Sequence, residues 1–260
     1  MTATRPAVRL AAAFALLIFV QGCSYLGLGA KGPAPEARPG DLFKQGEDLL
    51  KRAKYEKARL AYNAIKEHDP DRTYEPLVQI RLGDSYYEEE RYQEAEVEYK
   101  RFLDLHPHNK AAPYVKYQLG MCSFKQIGGP DRDPQYAVTA AARFGELLKD
   151  YPGNTYVEEA TEKLRISRGK VAEHEFVVGK YYFDRGSYKA AIGRFKGITA
   201  EYKGSSLEPE VLYYLADSYE RTGDFEAAKS TLSVLYQEYP NHRMAEKAKK
   251  TLSREIPQGK

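Results

Sequence analysis

The chain has 260 residues, a formal charge of +3 and 30% charged residues of both signs. That length suits one elongated body with a sizeable core. The interspersed charges form no basic stripe of the kind that follows nucleic acid, so no nucleic-acid partner is expected. Of the aromatic residues 22 are Tyr and 10 are Phe, with no Trp, a supply suited to helix-pair cores.

Residues 1–22 read as a targeting segment. Arg5 and Arg9 precede an apolar run, residues 10–20, that is too short to span a bilayer. It ends at Val20-Gln21-Gly22-Cys23. This resembles the lipobox of bacterial lipoproteins, with Cys23 as the acylated first residue of the mature chain and Gln21 in place of the usual Ala or Ser. Several acyl chains anchor stably where one holds only marginally, at about 0.8 kcal/mol per buried methylene. Ser24 rather than Asp follows, which by resemblance to enteric lipoproteins favours the outer membrane. With Cys23 acylated, Cys122 has no intrachain partner. Residues 23–40 form a tether rich in Gly and Pro. They include a literal GxGxxG at 27–32, which is no dinucleotide site, because no strand precedes it and no βαβ unit follows.

From residue 41 a helix-turn-helix frame recurs. Its clearest copy is residues 209–240, where Leu212, Leu215, Ala216 and Tyr219 lie on one helix, Ala227, Ala228, Leu232 and Leu235 on the next, Gly223 in the turn and Pro240 after the end. Large, small and Tyr followed by Ala, large, large and Pro is the tetratricopeptide (TPR) pattern. Leu42, Gly46, Leu49, Ala58, Tyr62, Ile65 and Pro70 fill it first. Gln79, Leu82, Gly83, Tyr86, Ala95, Tyr99, Phe102 and Pro107 fill it second. Leu119, Gly120, Ala140, Phe144, Leu147 and Pro152 form a third copy, stretched within residues 126–135. Val178, Gly179, Tyr182, Ala191, Phe195 and Ile198 form a fourth, with Lys203 where Pro is expected. One helix pair cannot bury its apolar face, whereas five stacked pairs can. The expected fold is therefore all-α, a TPR-like solenoid of five repeats in two halves joined by a long helix. Residues 41–152 hold repeats 1–3, 153–171 the connecting helix, and 172–255 repeats 4–5 with a polar-backed capping helix. Asn154 is placed to cap the long helix, and Gly169 and Gly179 could break it.

No catalytic constellation is present. The five histidines are His68, His106, His108, His174 and His242. They lack the spacing of a metal site, and neither GxSxG nor a P-loop occurs. The chain is expected not to be an enzyme and to need no cofactor beyond the covalent lipid on Cys23. The informative surface is the inner face, which in TPR proteins is lined by the first helix of each pair. Projected onto this frame, it presents Phe43, Glu47 and Leu50, then Ile80, Asp84 and Tyr87, then Tyr117, Met121 and Phe124. Aromatic and apolar side chains with two carboxylates suggest a groove for a peptide with aromatic anchors. Any one of them could instead pack against the neighbouring helix. The last two copies present Phe176, Lys180, Phe183, Tyr213, Asp217 and Arg221, a more charged set. Tyr213, Asp217 and Arg221 are candidates for holding a partner protein.

Three stretches carry a resemblance to a known family. They are Asp131-Arg132-Asp133-Pro134-Gln135 with Ala137; Asp150-Tyr151-Pro152 with Asn154, Tyr156 and Ala160; and Ala172, His174-Glu175, Val178, Tyr181-Tyr182, Arg185-Gly186, Tyr188, Ala190-Ala191 and Arg194. With Cys23 and five repeats, the chain resembles the BamD family of outer-membrane lipoproteins in the β-barrel assembly (BAM) machinery, over roughly residues 41–252. Its departures are a short third-repeat loop and Lys203. The resemblance implies a lipid-anchored protein of the outer membrane facing the periplasm. Its N-terminal repeats would bind unfolded outer-membrane proteins. Its C-terminal repeats would dock on a BamA-like barrel insertase, beside other assembly-complex lipoproteins. The alternative is another periplasmic TPR scaffold lipoprotein, serving cell-wall coordination, secretion or pilus assembly.

Overall fold

The structure, a computed structural model, describes residues 38–253, with side chains for 38–250. The leader, Cys23 and most of the tether lie outside the described residues, as does the extreme C-terminus. The described residues form eleven helices and no strand: α1 (Pro39–Lys51), α2 (Tyr55–His68), α3 (Glu75–Glu88), α4 (Tyr92–Leu105), α5 (Ala112–Phe124), α6 (Gln135–Asp150), α7 (Val157–Asp184), α8 (Tyr188–Glu201), α9 (Glu208–Arg221), α10 (Phe225–Glu238) and α11 (Arg243–Ser253). This is the expected TPR-like solenoid. Pro stands in the first turn of α1, α3, α5 and α9, where its missing N–H costs nothing.

Each repeat closes on one steric fit. A Cβ added at Gly46 would lie 2.4 Å from the Tyr62 ring, at Gly83 2.5 Å from Tyr99, at Gly120 2.5 Å from Phe144 and at Gly179 2.5 Å from Phe195. The first helix must therefore carry glycine wherever the second carries an aromatic ring at that level. In the fifth repeat the small residue is Ala216 and its counterpart is Leu232, both buried in one cluster. The extra methyl on one helix is offset by a smaller side chain on the other, as interiors packed to crystal density require.

The cores run between repeats as well as within them. Tyr62 and Ile65 of α2 pack with Val78 and Leu82 of α3. Tyr99 and Phe102 of α4 pack with Ala112 and Val115 of α5. Phe144 and Leu147 of α6 meet Ala160 of α7, Phe195 and Ile198 of α8 meet Val211 and Leu215 of α9, and Leu232 and Leu235 of α10 meet Met244 and Ala248 of α11. Every repeat thus buries the apolar face of the next.

Helix α7 spans 28 residues, about 42 Å at 1.5 Å per residue. Neither Gly169 nor Gly179 interrupts it. Its first half packs on α6 and its second half on α8. Asn154 does not cap it, contrary to expectation: Tyr156 is the N-cap residue, and Asn154 Oδ1 instead accepts from the Tyr156 backbone N–H at 2.6 Å within the preceding turn. The third-repeat turn, residues 125–134, is longer than the turns at 52–54, 89–91, 185–187 and 222–224. Ile127 from it packs against the core beneath α6, and His174 Nδ1 lies 3.0 Å from the Pro130 carbonyl oxygen.

Candidate peptide-binding face

The face formed by the first helices of repeats 1–3 carries a polar network. Glu47 Oε1 accepts from the Tyr62 hydroxyl at 2.7 Å and from Arg81 Nε at 2.8 Å. Arg81 Nη1 also donates to Asp84 Oδ2 at 2.8 Å. Asp84 Oδ1 accepts from the hydroxyls of Tyr99, at 2.8 Å, and Tyr114, at 2.7 Å. Gln118 Nε2 in turn donates to the Tyr114 hydroxyl at 3.0 Å. Two carboxylates from α1 and α3, one guanidinium and three phenols therefore join three consecutive repeats. Burial, and then the neighbouring Glu47, pushes the Tyr62 phenol above its usual range. Burial and then Asp84 do the same for Tyr99 and Tyr114. These hydroxyls stay protonated and donating at any neutral pH.

Beside the network lies a cleft of about 370 Å3 lined by Leu50, Lys51, Tyr55, Asp84, Glu88 and Tyr114, with Ala53 and Gln118. It spans α1, α3 and α5, so it crosses all three repeats.

The structure sorts the nine residues projected onto the inner face. Leu50 and Asp84 line the cleft. Glu47 lies in the network, with Arg81 and the Tyr62 hydroxyl as its partners. Phe43 is half-buried, its ring 5.7 Å from Tyr62 and 5.8 Å from Tyr74. Ile80 and Met121 are core residues, 6% and 9% exposed. Ile80 packs among α4 and α5, and Met121 among Phe144, Leu147 and Ala160. Both are corrected from groove to core. Tyr87 is half-buried between the second and third repeats, edge-on to Tyr92 at 5.4 Å.

Tyr117 and Phe124 are met by α7 and the turn before it. Tyr117 stacks on Tyr156 at 4.9 Å and donates to Glu159 Oε2 at 2.8 Å. The Lys163 ammonium lies 4.8 Å from the centre of the Phe124 ring, and Phe144 meets that ring edge-on at 6.3 Å. Their aromatic character serves this packing. Sequence reading missed Tyr114, Glu88 and Tyr55. Tyr114 lies one turn before Gln118 on α5, so a wider projection of that helix reaches it.

The second half is built differently. The Tyr214 ring sits among Phe176, Phe183 and Phe195 at 5.9, 5.2 and 6.2 Å. Lys180 Nζ lies 4.3 Å from its centre and 2.6 Å from Asp184. Phe176 and Phe183 are thus committed to packing. Tyr213 lies half-buried beside Tyr214, 5.4 Å from the Lys247 ammonium. Asp217 and Arg221 pair at 3.2 Å one turn apart, with the Arg221 side chain 56% exposed. The three candidates are adjacent on α9 and reach solvent. On α7, Val177 and Tyr181 are 40% and 51% exposed one turn apart, and the Arg185 guanidinium lies 4.2 Å from the Tyr181 ring.

Among the described residues no group of three or more His, Cys, Asp or Glu is placed to hold a metal, and no helix is long and apolar enough to cross a membrane. Cys122 is fully buried, its thiol pushed up to about 12 by burial and then by Glu96.

Residues 35–232 match the family model described as YfiO, outer membrane lipoprotein. The chain is 29% identical over 244 residues to the outer membrane protein assembly factor BamD of Caulobacter vibrioides, covering 92% of this chain and 78% of the relative. It is 26% identical to BamD of Rickettsia prowazekii, covering 78% and 80%, and 24% identical to that of Vibrio cholerae, covering 82% and 91%. Among solved structures, the TPR2AB domain of yeast Sti1 in complex with pHSP90 is similar with a TM-score of 0.44 and 14% identity, covering 83% of each chain. With the match to the family model extending from the end of the tether into α10, the chain belongs to the YfiO outer membrane lipoprotein family, that of the BamD assembly factors.

Proposed function

We propose that this protein is a lipid-anchored, non-enzymatic adaptor of outer-membrane protein assembly. It is held at the outer membrane through acylated Cys23 and faces the periplasm. In this reading, repeats 1–3 capture a terminal segment of an unfolded outer-membrane barrel protein, and repeats 4–5 dock on a BamA-like insertase. The observation that carries it is the cleft across α1, α3 and α5. It is lined by apolar Leu50, aromatic Tyr55 and Tyr114, and the acidic residues Asp84 and Glu88. An aromatic anchor fits against Leu50 and the rings, while backbone N–H groups or a basic side chain of the segment can reach Glu88, Asp84 being held by Arg81, Tyr99 and Tyr114. Tyr213, Asp217 and Arg221, fifth-repeat side chains that reach solvent, are the proposed insertase contacts.

Removing the protein from cells should leave barrel proteins unfolded in the periplasm. Mild detergent extraction should bring down the insertase with the wild-type chain. Arg221→Glu combined with Tyr213→Ala should lose the insertase while retaining the unfolded barrel. Normal barrel assembly without the protein, or recovery of cell-wall or secretion components instead of the insertase, contradicts the reading.

A further inference from the structure

The fourth copy of the frame departs from the others where α8 turns into α9. Copies 1, 2, 3 and 5 place Pro70, Pro107, Pro152 and Pro240 after the second helix, and copy 4 places Lys203 there, followed by Gly204-Ser205-Ser206. This turn faces the middle of α7 across a cleft of about 220 Å3. Its walls are Arg165, Ile166, Arg168, Gly169, Lys170 and Glu173 on one side and Tyr202, Lys203, Gly204, Ser205 and Ser206 on the other. Four cations thus surround the cleft against one lining carboxylate.

The cations differ in how firmly they are held. Arg168 donates to the Glu201 carbonyl and lies 5.8 Å from the Tyr202 ring centre, and it pairs with no carboxylate among the described residues. Arg165 pairs with Glu162 and Lys170 with Glu173, each at 2.7 Å, and Lys203 sits 3.7 Å from Glu238. The Arg165 and Lys203 side chains are 71% and 69% exposed, and pairs at that exposure exchange readily with another anion. A second observation is independent of charge. Ser205 lines this cleft, and its hydroxyl oxygen is buried without a hydrogen-bond partner among the described residues, so a side-chain rotation that brings it to an acceptor in the cleft relieves an unsatisfied polar group.

We propose that this cleft binds a phosphate-class anion. The Arg168 guanidinium offers a fork of donors, Ser205 one hydroxyl, and Lys203 an exposed ammonium group. A single carboxylate satisfies one fork. A tetrahedral oxyanion of more than unit charge engages the fork, the hydroxyl and a lysine together. The volume of about 220 Å3 admits one phosphoryl group with its ester substituent. Such a group is presented by an anionic phospholipid headgroup or by free phosphate.

The test uses the full acylated chain in uncharged detergent. It is titrated with inorganic phosphate and, separately, with short-chain phosphatidylglycerol, against chloride at matched ionic strength. The readout is the amide resonances of Gly169, Gly204, Ser205 and Ser206. Saturable shifts confined to these amides and absent with chloride are expected. Arg168→Gln should weaken binding about tenfold and Lys203→Gln about threefold. Lys203 is exposed, so its variant retains the fold and keeps the test valid if Arg168→Gln does not. Tighter binding of the lipid than of phosphate identifies the headgroup as the source, and equal binding identifies the phosphoryl group alone. Absence of saturation, shifts equal to those in chloride, or unchanged binding in both variants overturns the proposal.

Discussion

Repeats 1–3 and repeats 4–5 share one backbone frame but use the carboxylate that follows the small residue differently. The residue after the small position of the first helix shows it. In the second repeat it is Asp84, 7% exposed and holding Arg81, Tyr99 and Tyr114. In the fifth it is Asp217, paired at the surface with Arg221. The first half ties repeats together with largely buried polar bonds beside a cleft of about 370 Å3. The second half ties them with a ring cluster around Tyr214 and a buried carboxylate, Glu208, which accepts from the Tyr239 hydroxyl at 2.8 Å and from the Gly204 backbone N–H, while Asp217 and Arg221 pair at the surface. One TPR topology therefore accommodates a polar network linking three repeats at one end and a ring cluster at the other.

The largest expected effect comes from breaking the buried side of this contrast. Asp84→Ala leaves the buried Tyr99 hydroxyl without an acceptor and Arg81 with one carboxylate fewer. It should cost about 3 kcal/mol in denaturant unfolding, whereas Asp217→Ala should leave the midpoint where it is. Equal effects would erase the distinction. Next come Tyr117→Ala and Phe124→Ala, which remove rings packed against the α6–α7 region. Each should destabilise by about 3 kcal/mol while peptide binding by the folded protein persists. Lost binding at unchanged stability would return these residues to the groove.

The steric fit common to both halves gives a third test. Gly179→Ala should cost about 2 kcal/mol through collision with Phe195. Adding Phe195→Leu, which recreates the Ala216–Leu232 combination of the fifth repeat, should cost less than the two single changes together.

Alkali should separate the halves further. Tyr62, Tyr99 and Tyr114 are raised by burial and then by carboxylate neighbours. In the second half Tyr239 is raised to about 12, by burial and then Glu208. A phenol held protonated in the folded state contributes its full stability below the ordinary phenol value near pH 10. That contribution falls as pH rises above this value, because only the unfolded chain then releases the proton. Repeats 1–3 should accordingly lose amide protection at lower pH than repeats 4–5 in an alkaline hydrogen-exchange series. Simultaneous loss would contradict the network's weight.

The smallest effect is in the turns. The first two use Ala53 and Glu90 at φ of 54° and 60°, where the last two use Gly186 and Gly223. Glu90→Gly should stabilise by about 1 kcal/mol, since a left-handed residue with a Cβ is disfavoured by more than glycine's extra chain entropy. A destabilised variant would show that the Glu90 side chain contributes more than its backbone conformation costs.

The repeat frame was readable in the chain because its determinants are local: a small residue, an Ala twelve positions on, and Pro after the second helix. Even the stretched third copy kept Gly120, Ala140 and Pro152. The unbroken course of α7 was less legible, because two glycines weaken helix propensity while the packing that overrides them comes from α6 and α8. The face was legible only in part. Periodicity put Glu47 and Asp84 on it but could not show that Arg81, Tyr62, Tyr99 and Tyr114 converge on them from four other positions. Nor could it show that Ile80 and Met121 are buried, because that depends on how closely the next repeat packs against them. The Lys203 departure stood out in sequence, while its meeting with Arg168 required α7 to be continuous.

The most direct test of the division between halves is the affinity of the full chain for a synthetic peptide carrying the aromatic C-terminal segment of an outer-membrane barrel protein. Tyr114→Phe combined with Leu50→Ala, at the cleft, should weaken binding about tenfold or more, while Arg221→Ala should leave it unchanged. Loss of peptide binding on Arg221→Ala, with the cleft variant binding like the parent, would contradict the account.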